Sequence, residues 1–158
     1  MTPQQLRENT VALCRQDPVF FTKNFVHIED KDAARLVQPF RLWPMQEQAL
    51  RQLHAHRLNV VLKARQLGIT WLALSVAAWT VVLFSGRTVV CFSRAEEEAK
   101  ELVRRMVVML RHMPELICEE KHAPPGWQGP VFRHTCLSVH VRFPNGPESV
   151  LKAFLSSP

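Results

Sequence analysis

Tyrosine is absent from the 158 residues and glycine is scarce, at five, so collagenous and glycine-rich low-complexity classes are excluded. The four cysteines, Cys14, Cys91, Cys118 and Cys136, form no CxxC pair, and no secretory leader precedes them. A disulfide scaffold is thereby ruled out, and reduced thiols in a cytoplasmic protein are expected. Cys118, His122, His134 and Cys136 are all potential zinc ligands, but their spacing matches no common zinc module. Long hydrophobic runs are missing too. The most apolar stretch, residues 69–84, is bounded by Arg65 and Gly68 on one side and by Gly86 and Arg87 on the other. A span needs about 20 apolar residues, so a helix buried inside a domain is expected and no membrane.

What is present suits one globular domain with a real core: 47% of the side chains are hydrophobic and 22% charged. The formal charge is +6, and its whole surplus lies between residues 41 and 113, where eleven basic groups face five acidic ones. That concentration predicts a polyanionic partner.

Thr2, Pro3 and Gln5 make a capping-box start for a helix to about Cys14, and Asp17-Pro18 restarts the chain into a second helix carrying Phe20, Phe21 and Phe25. Pro39 and Pro44 force LVQPFRLWP into an extended form. Residues 1–44 therefore read as a mainly helical adapter, and 45–158 as the core domain. Within the latter, a helix with Met45, Ala49, Leu50 and Leu53 on its apolar face precedes LNVVLKA, which reads as a buried strand. The apolar helix 69–84, a strand at 88–92 and a helix started by a Ser93/Glu96 capping box and stopped by Pro114 complete a βαβα order. Such an order predicts an α/β fold: a parallel sheet with flanking helices and ligands at the carboxyl ends of its strands. Residues 122–130 read as a loop, and Val139, Val141, Phe143 and Asn145-Gly146 as a closing β-hairpin.

The chemistry concentrates where the first strand meets the apolar helix, because a helix amino terminus presents unpaired N–H groups to an anion. The eight residues KARQLGIT, Lys63 to Thr70, keep the last glycine and the hydroxyl of the phosphate loop GxxxxGK[ST]. Lys63 replaces the first glycine and Ile69 the lysine. Lys63 at the strand's end can supply the missing cation, Arg65 adds a second, Gly68 lets the backbone approach and Thr70 offers a hydroxyl to Mg²⁺. The same residues also allow a plainer reading, in which Lys63 and Arg65 are solvated or pair with Glu47, and Thr70 only caps the helix.

These segments resemble the large subunits of phage terminases, the motors that pump double-stranded DNA into proheads. FRLWPMQEQAL looks like the family's adenine-binding segment, VVLKARQLGIT its phosphate loop with lysine moved to the first position, and TVVCFSRAEEEAKELVRRM the strand and helix that follow. VRFPNGPESVLKAFLSSP is similar to the hairpin before the acidic hydrolysis motif, and DPVFFTKNFVHIED to the lead-in of one branch. The resemblance implies a RecA-like P-loop NTPase domain of the additional-strand type. It implies ATP and Mg²⁺ as cofactors, with Gln46 on the base and Lys63, Arg65, Gln66, Gly68 and Thr70 on the phosphates, Thr70 also on the metal. Implied partners are double-stranded DNA, a portal protein, the small terminase subunit and further copies in a homo-oligomeric ring, all in the host cytoplasm.

One departure is large. No apolar run ends in Asp-Glu, and Asp30, Asp32, Glu119 and Glu120 lie in polar, loop-like settings. The expectation is an amino-terminal fragment with an incomplete P-loop domain over 45–158, which binds nucleotide poorly and does not hydrolyse it. The rivals are another P-loop motor of the helicase kind and a non-catalytic DNA-binding or interaction remnant.

Overall fold

The computed structural model of the chain describes residues 1–63 and 66–156. The helices in it are α1 (Pro3–Gln16), α2 (Pro18–Phe25), α3 (Pro44–Ala55), α4 (Ile69–Leu83) and α5 (Glu96–Arg111). The strands are β1 (His27–Glu29), β2 (Val37–Pro39), β3 (Thr88–Ser93), β4 (Cys118–Glu119), β5 (Val131–His134), β6 (Ser138–Phe143) and β7 (Gly146–Leu155). The class is α/β, with an antiparallel ribbon β1-β2 and a five-stranded sheet in the order β3-β7-β6-β5-β4.

Local chemistry explains most of the helix ends. Thr2 Oγ1 accepts from Gln5 N at 3.2 Å and Gln5 Oε1 accepts from Thr2 N at 2.8 Å, closing the expected capping box on α1. Asp17 Oδ1 accepts from Val19 N at 2.8 Å and starts α2. The second capping box does not form. Ser93 stays in β3, where its carbonyl accepts from Ser156 N, and α5 begins after Ala95 with no side-chain cap. Glu96, Glu97 and Glu98 in its first turn supply the negative charge that the helix dipole favours there.

The sheet is mixed, where a parallel sheet ending in a β-hairpin was expected. β3 runs parallel to β7 and β4 to β5, while β5-β6 and β6-β7 are antiparallel. The hairpin β6-β7 is the cause, because it folds back and lays its second strand along β3 over six residue pairs. The larger correction concerns the strand expected at LNVVLKA. Residues 58–63 are in no strand, and Leu58, Val60 and Leu62 are 88%, 99% and 99% exposed. Branched side chains favour a strand only where they join a ladder, and residues 58–63 join none, although β3 ends the sheet with its outer edge open among the described residues.

The core lies between one face of the sheet and helices α4 and α5. Phe132, Val139, Val141, Leu151 and Ala153 point into it, and α4 adds Leu72, Leu74, Ala78, Val81 and Val82. Each large side chain so buried contributes about 1.5–3 kcal/mol relative to exposure. Residues 1–44 join the same cluster through Cys14, Val19, Phe21, Val26 and Phe40. Thr22 Oγ1 and Ser75 Oγ, 2.6 Å apart, satisfy each other inside it. On α3, Leu50 is buried while Met45 is 79% exposed, so Met45 is not part of the apolar face. No helix among the described residues is long and apolar enough to cross a membrane.

Candidate functional site

A cleft of about 750 Å³ opens over the amino end of α4, within the usual range for a small-molecule site. Its walls come from the β1-β2 ribbon and its turn, Phe40, Arg41, Trp43 and Gln46 ahead of and in α3, Lys63, residues 66–71 and Arg105 of α5. Gln46, Lys63, Gln66, Gly68 and Thr70 all line it. Arg65, the remaining predicted contact, lies outside the described residues.

The floor is the turn into α4. Gly68 is the residue before the helix, with φ 69° and ψ 12°, a left-handed backbone that glycine adopts without penalty. Gln66 is left-handed as well, at φ 63°, which costs a side-chain-bearing residue about 1–3 kcal/mol and marks the turn as held in place by its surroundings. No side chain caps α4. Thr70 is the second helical residue and is exposed, so the plainer reading of it as the cap does not hold. The first N–H groups of a helix have no intrahelical partner, and here they look into the cleft with the positive end of the dipole.

Gln46 braces this turn. It is buried, its Oε1 accepts from Trp43 N at 2.9 Å, and its Nε2 donates to the carbonyl of Leu67 at 3.0 Å. One amide N–H and one lone pair remain for a ligand. Lys63 is exposed and has no ion-pair partner among the described residues. Glu47 does not take it, since Lys23 and Arg51 already hold the Glu47 carboxylate and keep it below the usual range.

Several lining residues had no motif to announce them. Arg41 and Trp43 sit between the two prolines that precede α3, and Arg105 reaches the site from a helix 35 residues beyond Thr70. Arg105 stacks over Trp71, 5.0 Å from the ring centroid, and its Nε donates to Glu101 at 2.9 Å. At the rim, Glu29 receives Nη1 and Nη2 of Arg104 at 2.8 and 2.5 Å, which depresses its pKa. Arg104 and Arg105 bring Glu101 down to about 2. Asp30 accepts from Asp32 N and from Gln38 Nε2, both at 3.0 Å, so its carboxylate is spent on the β1-β2 turn. With Glu29 paired to Arg104 and Arg105 to Glu101, the cations Lys31, Arg41 and Lys63 outnumber the two remaining carboxylates, Asp30 and Asp32.

Among the described residues no three His, Cys, Asp or Glu side chains gather to hold a metal ion. Cys118, His122, His134 and Cys136 are accordingly not assembled. His122 and His134 instead approach the carboxylate of Glu119 at 3.5 and 3.7 Å. A single exposed hydroxyl, Thr70, suits a magnesium ion that keeps its waters and arrives on a phosphate, which is how Mg²⁺ is usually bound. No family model matches the chain, and no curated protein matches it.

Proposed function

We propose that this cleft binds a nucleoside triphosphate, ATP with Mg²⁺. On this reading the chain is the amino-terminal, RecA-like portion of a phage DNA-packaging motor of the terminase large-subunit kind. One observation carries it: a glutamine from α3, a lysine from the segment ahead of the turn, and the glycine and threonine of the turn itself line a single cleft at an uncapped helix end. The phosphates would rest on the N–H groups of α4, with Lys63, which has no ion-pair partner among the described residues, beside them. Thr70 would hold the metal, which supplies charge neutralisation to the phosphates when bound. Gln46 keeps the turn open and has one donor and one acceptor left to meet a base.

Turnover is another matter. Asp30 is tied into its turn and Glu29 is paired with Arg104, so neither is free to orient an attacking water. Double-stranded DNA, a portal protein, a small terminase subunit and a ring of copies in the host cytoplasm belong to the same proposal and rest on the family likeness alone.

Calorimetry with ATP and Mg²⁺ tests the site. Lys63→Ala and Thr70→Ala are each expected to weaken binding about ten-fold or more, the size of one lost charge-assisted contact. Unchanged affinity in both variants, with the fold intact by circular dichroism, refutes the assignment.

A further inference from the structure

The five-stranded sheet is covered on one face only. Strand neighbours place Val90, Phe92, Lys152, Phe154, Ser138, His140 and Arg133 together on the other face, where every one of them is exposed or half-exposed. Near the carboxyl ends of the edge strand β3 and its neighbour β7, Phe92 is paired in register with Phe154, and the rings stack with centroids 5.9 Å apart and 30° between planes. Phe92 is 69% exposed and Phe154 45%. Two register pairs along, and next on the same face, is Val90 with Lys152, and Lys152 has no ion-pair partner among the described residues. Arg133 lies across the sheet with Glu148, Nη2 to Oε1 at 3.1 Å. Arg87 and Arg94 stand at the two ends of β3.

We infer that this open face binds single-stranded nucleic acid, its bases stacked on Phe92 and Phe154 and its phosphates held by Lys152. An exposed aromatic pair on an open sheet face, with Lys152 two residue pairs away, offers the two things such strands need: a π-face for any base and a counter-charge for the backbone. Charge also argues against the other occupants. A second copy packed face to face would bury Lys152, which has no carboxylate partner among the described residues, against a like surface. A covering helix would have to bury Lys152 and His140, whereas the opposite face of the same strands presents Val139, Val141, Leu151 and Ala153. None of these residues lines the cleft over α4, so the proposal stands apart from nucleotide binding.

The test is fluorescence anisotropy on the full chain, with labelled oligothymidylate and oligouridylate of about 20 nucleotides and a duplex of equal length. Phe92→Leu and Phe154→Leu should each raise the dissociation constant for the single strand about ten-fold, and Phe92→Trp should retain it. Lys63→Ala should leave this binding untouched while losing ATP, which separates the two sites. That aromatic dependence with either oligonucleotide bears the proposal out, and the tighter one names the sugar. Absence of single-strand binding overturns it. So does binding that favours the duplex and ignores both leucine variants, or a dimer seen by light scattering that Phe92→Leu returns to monomer.

Discussion

A Cβ built on Gly68 would stand 2.8 Å from Nε2 of Gln46, closer than real Cβ atoms approach a neighbour. The glycine is therefore required twice, by its left-handed backbone and by the amide that fills the space beside it. The Gln46 amide in turn fixes the turn by donating to Leu67. The α3 wall and the α4 turn of the cleft thus meet in one contact.

Gly68→Ala is expected to cost about 1–2 kcal/mol from the left-handed backbone alone and to displace Gln46 as well. Gln46→Leu should cost about 1–3 kcal/mol, since it strands the Trp43 N–H and the Leu67 carbonyl. Urea denaturation reads both changes. Nucleotide affinity should fall in each variant, and a Gln46→Leu protein as stable as the parent would show that the brace carries nothing.

Glu119 governs an acid-sensitive contact at the far end of α5. Its side chain is almost buried, accepts from Arg111 Nε and Nη2 at 2.9 and 3.2 Å, and lies 3.4 Å from Lys121. The Arg111 guanidinium holds the carboxyl at about 2, against an ordinary value of 4.5. Because the folded pKa is the lower one, this contribution is complete above about pH 4.5 and disappears as the pH falls toward 2. Glu119→Gln should flatten the loss of stability across that window. Arg111→Leu should cost about 2–3 kcal/mol at neutral pH by leaving the carboxylate under-paired. Equal acid sensitivity in Glu119→Gln and the parent would exclude the pairing as its source.

Leu58, Val60 and Leu62 leave an apolar stripe in water, so the isolated chain should self-associate. Val60→Ser with Leu62→Ser is expected to raise solubility while moving stability by no more than about 0.5 kcal/mol, as for other exposed positions. A cooperative loss of stability in the double variant would mean that the segment is packed after all.

Signals confined to a few neighbouring residues were legible without coordinates. The Thr2-Gln5 box, the Asp17-Pro18 restart and the β6-β7 hairpin all formed where expected, because their hydrogen bonds close within one or two turns of chain. So did the length of α4, bounded by Gly68 and by Ser85-Gly86. Signals that need a distant partner failed. The branched residues at 58–63 resemble a buried strand but pair with no neighbour, and Ser93 resembles a cap until β7 and Ser156 hold it in the sheet.

The amino-acid order by itself determined the helices, the turn at Gly68 and the concentration of positive charge between residues 41 and 113. Only the tertiary structure decided that Arg41, Trp43 and Arg105 face the same cleft as Lys63 and Thr70, and that Phe92 meets Phe154 on an open sheet. Local hydrogen bonds and side-chain periodicity are properties of contiguous chain. Which distant surfaces meet depends on how sheet and helices pack, and β7 settled that by taking its place beside β3.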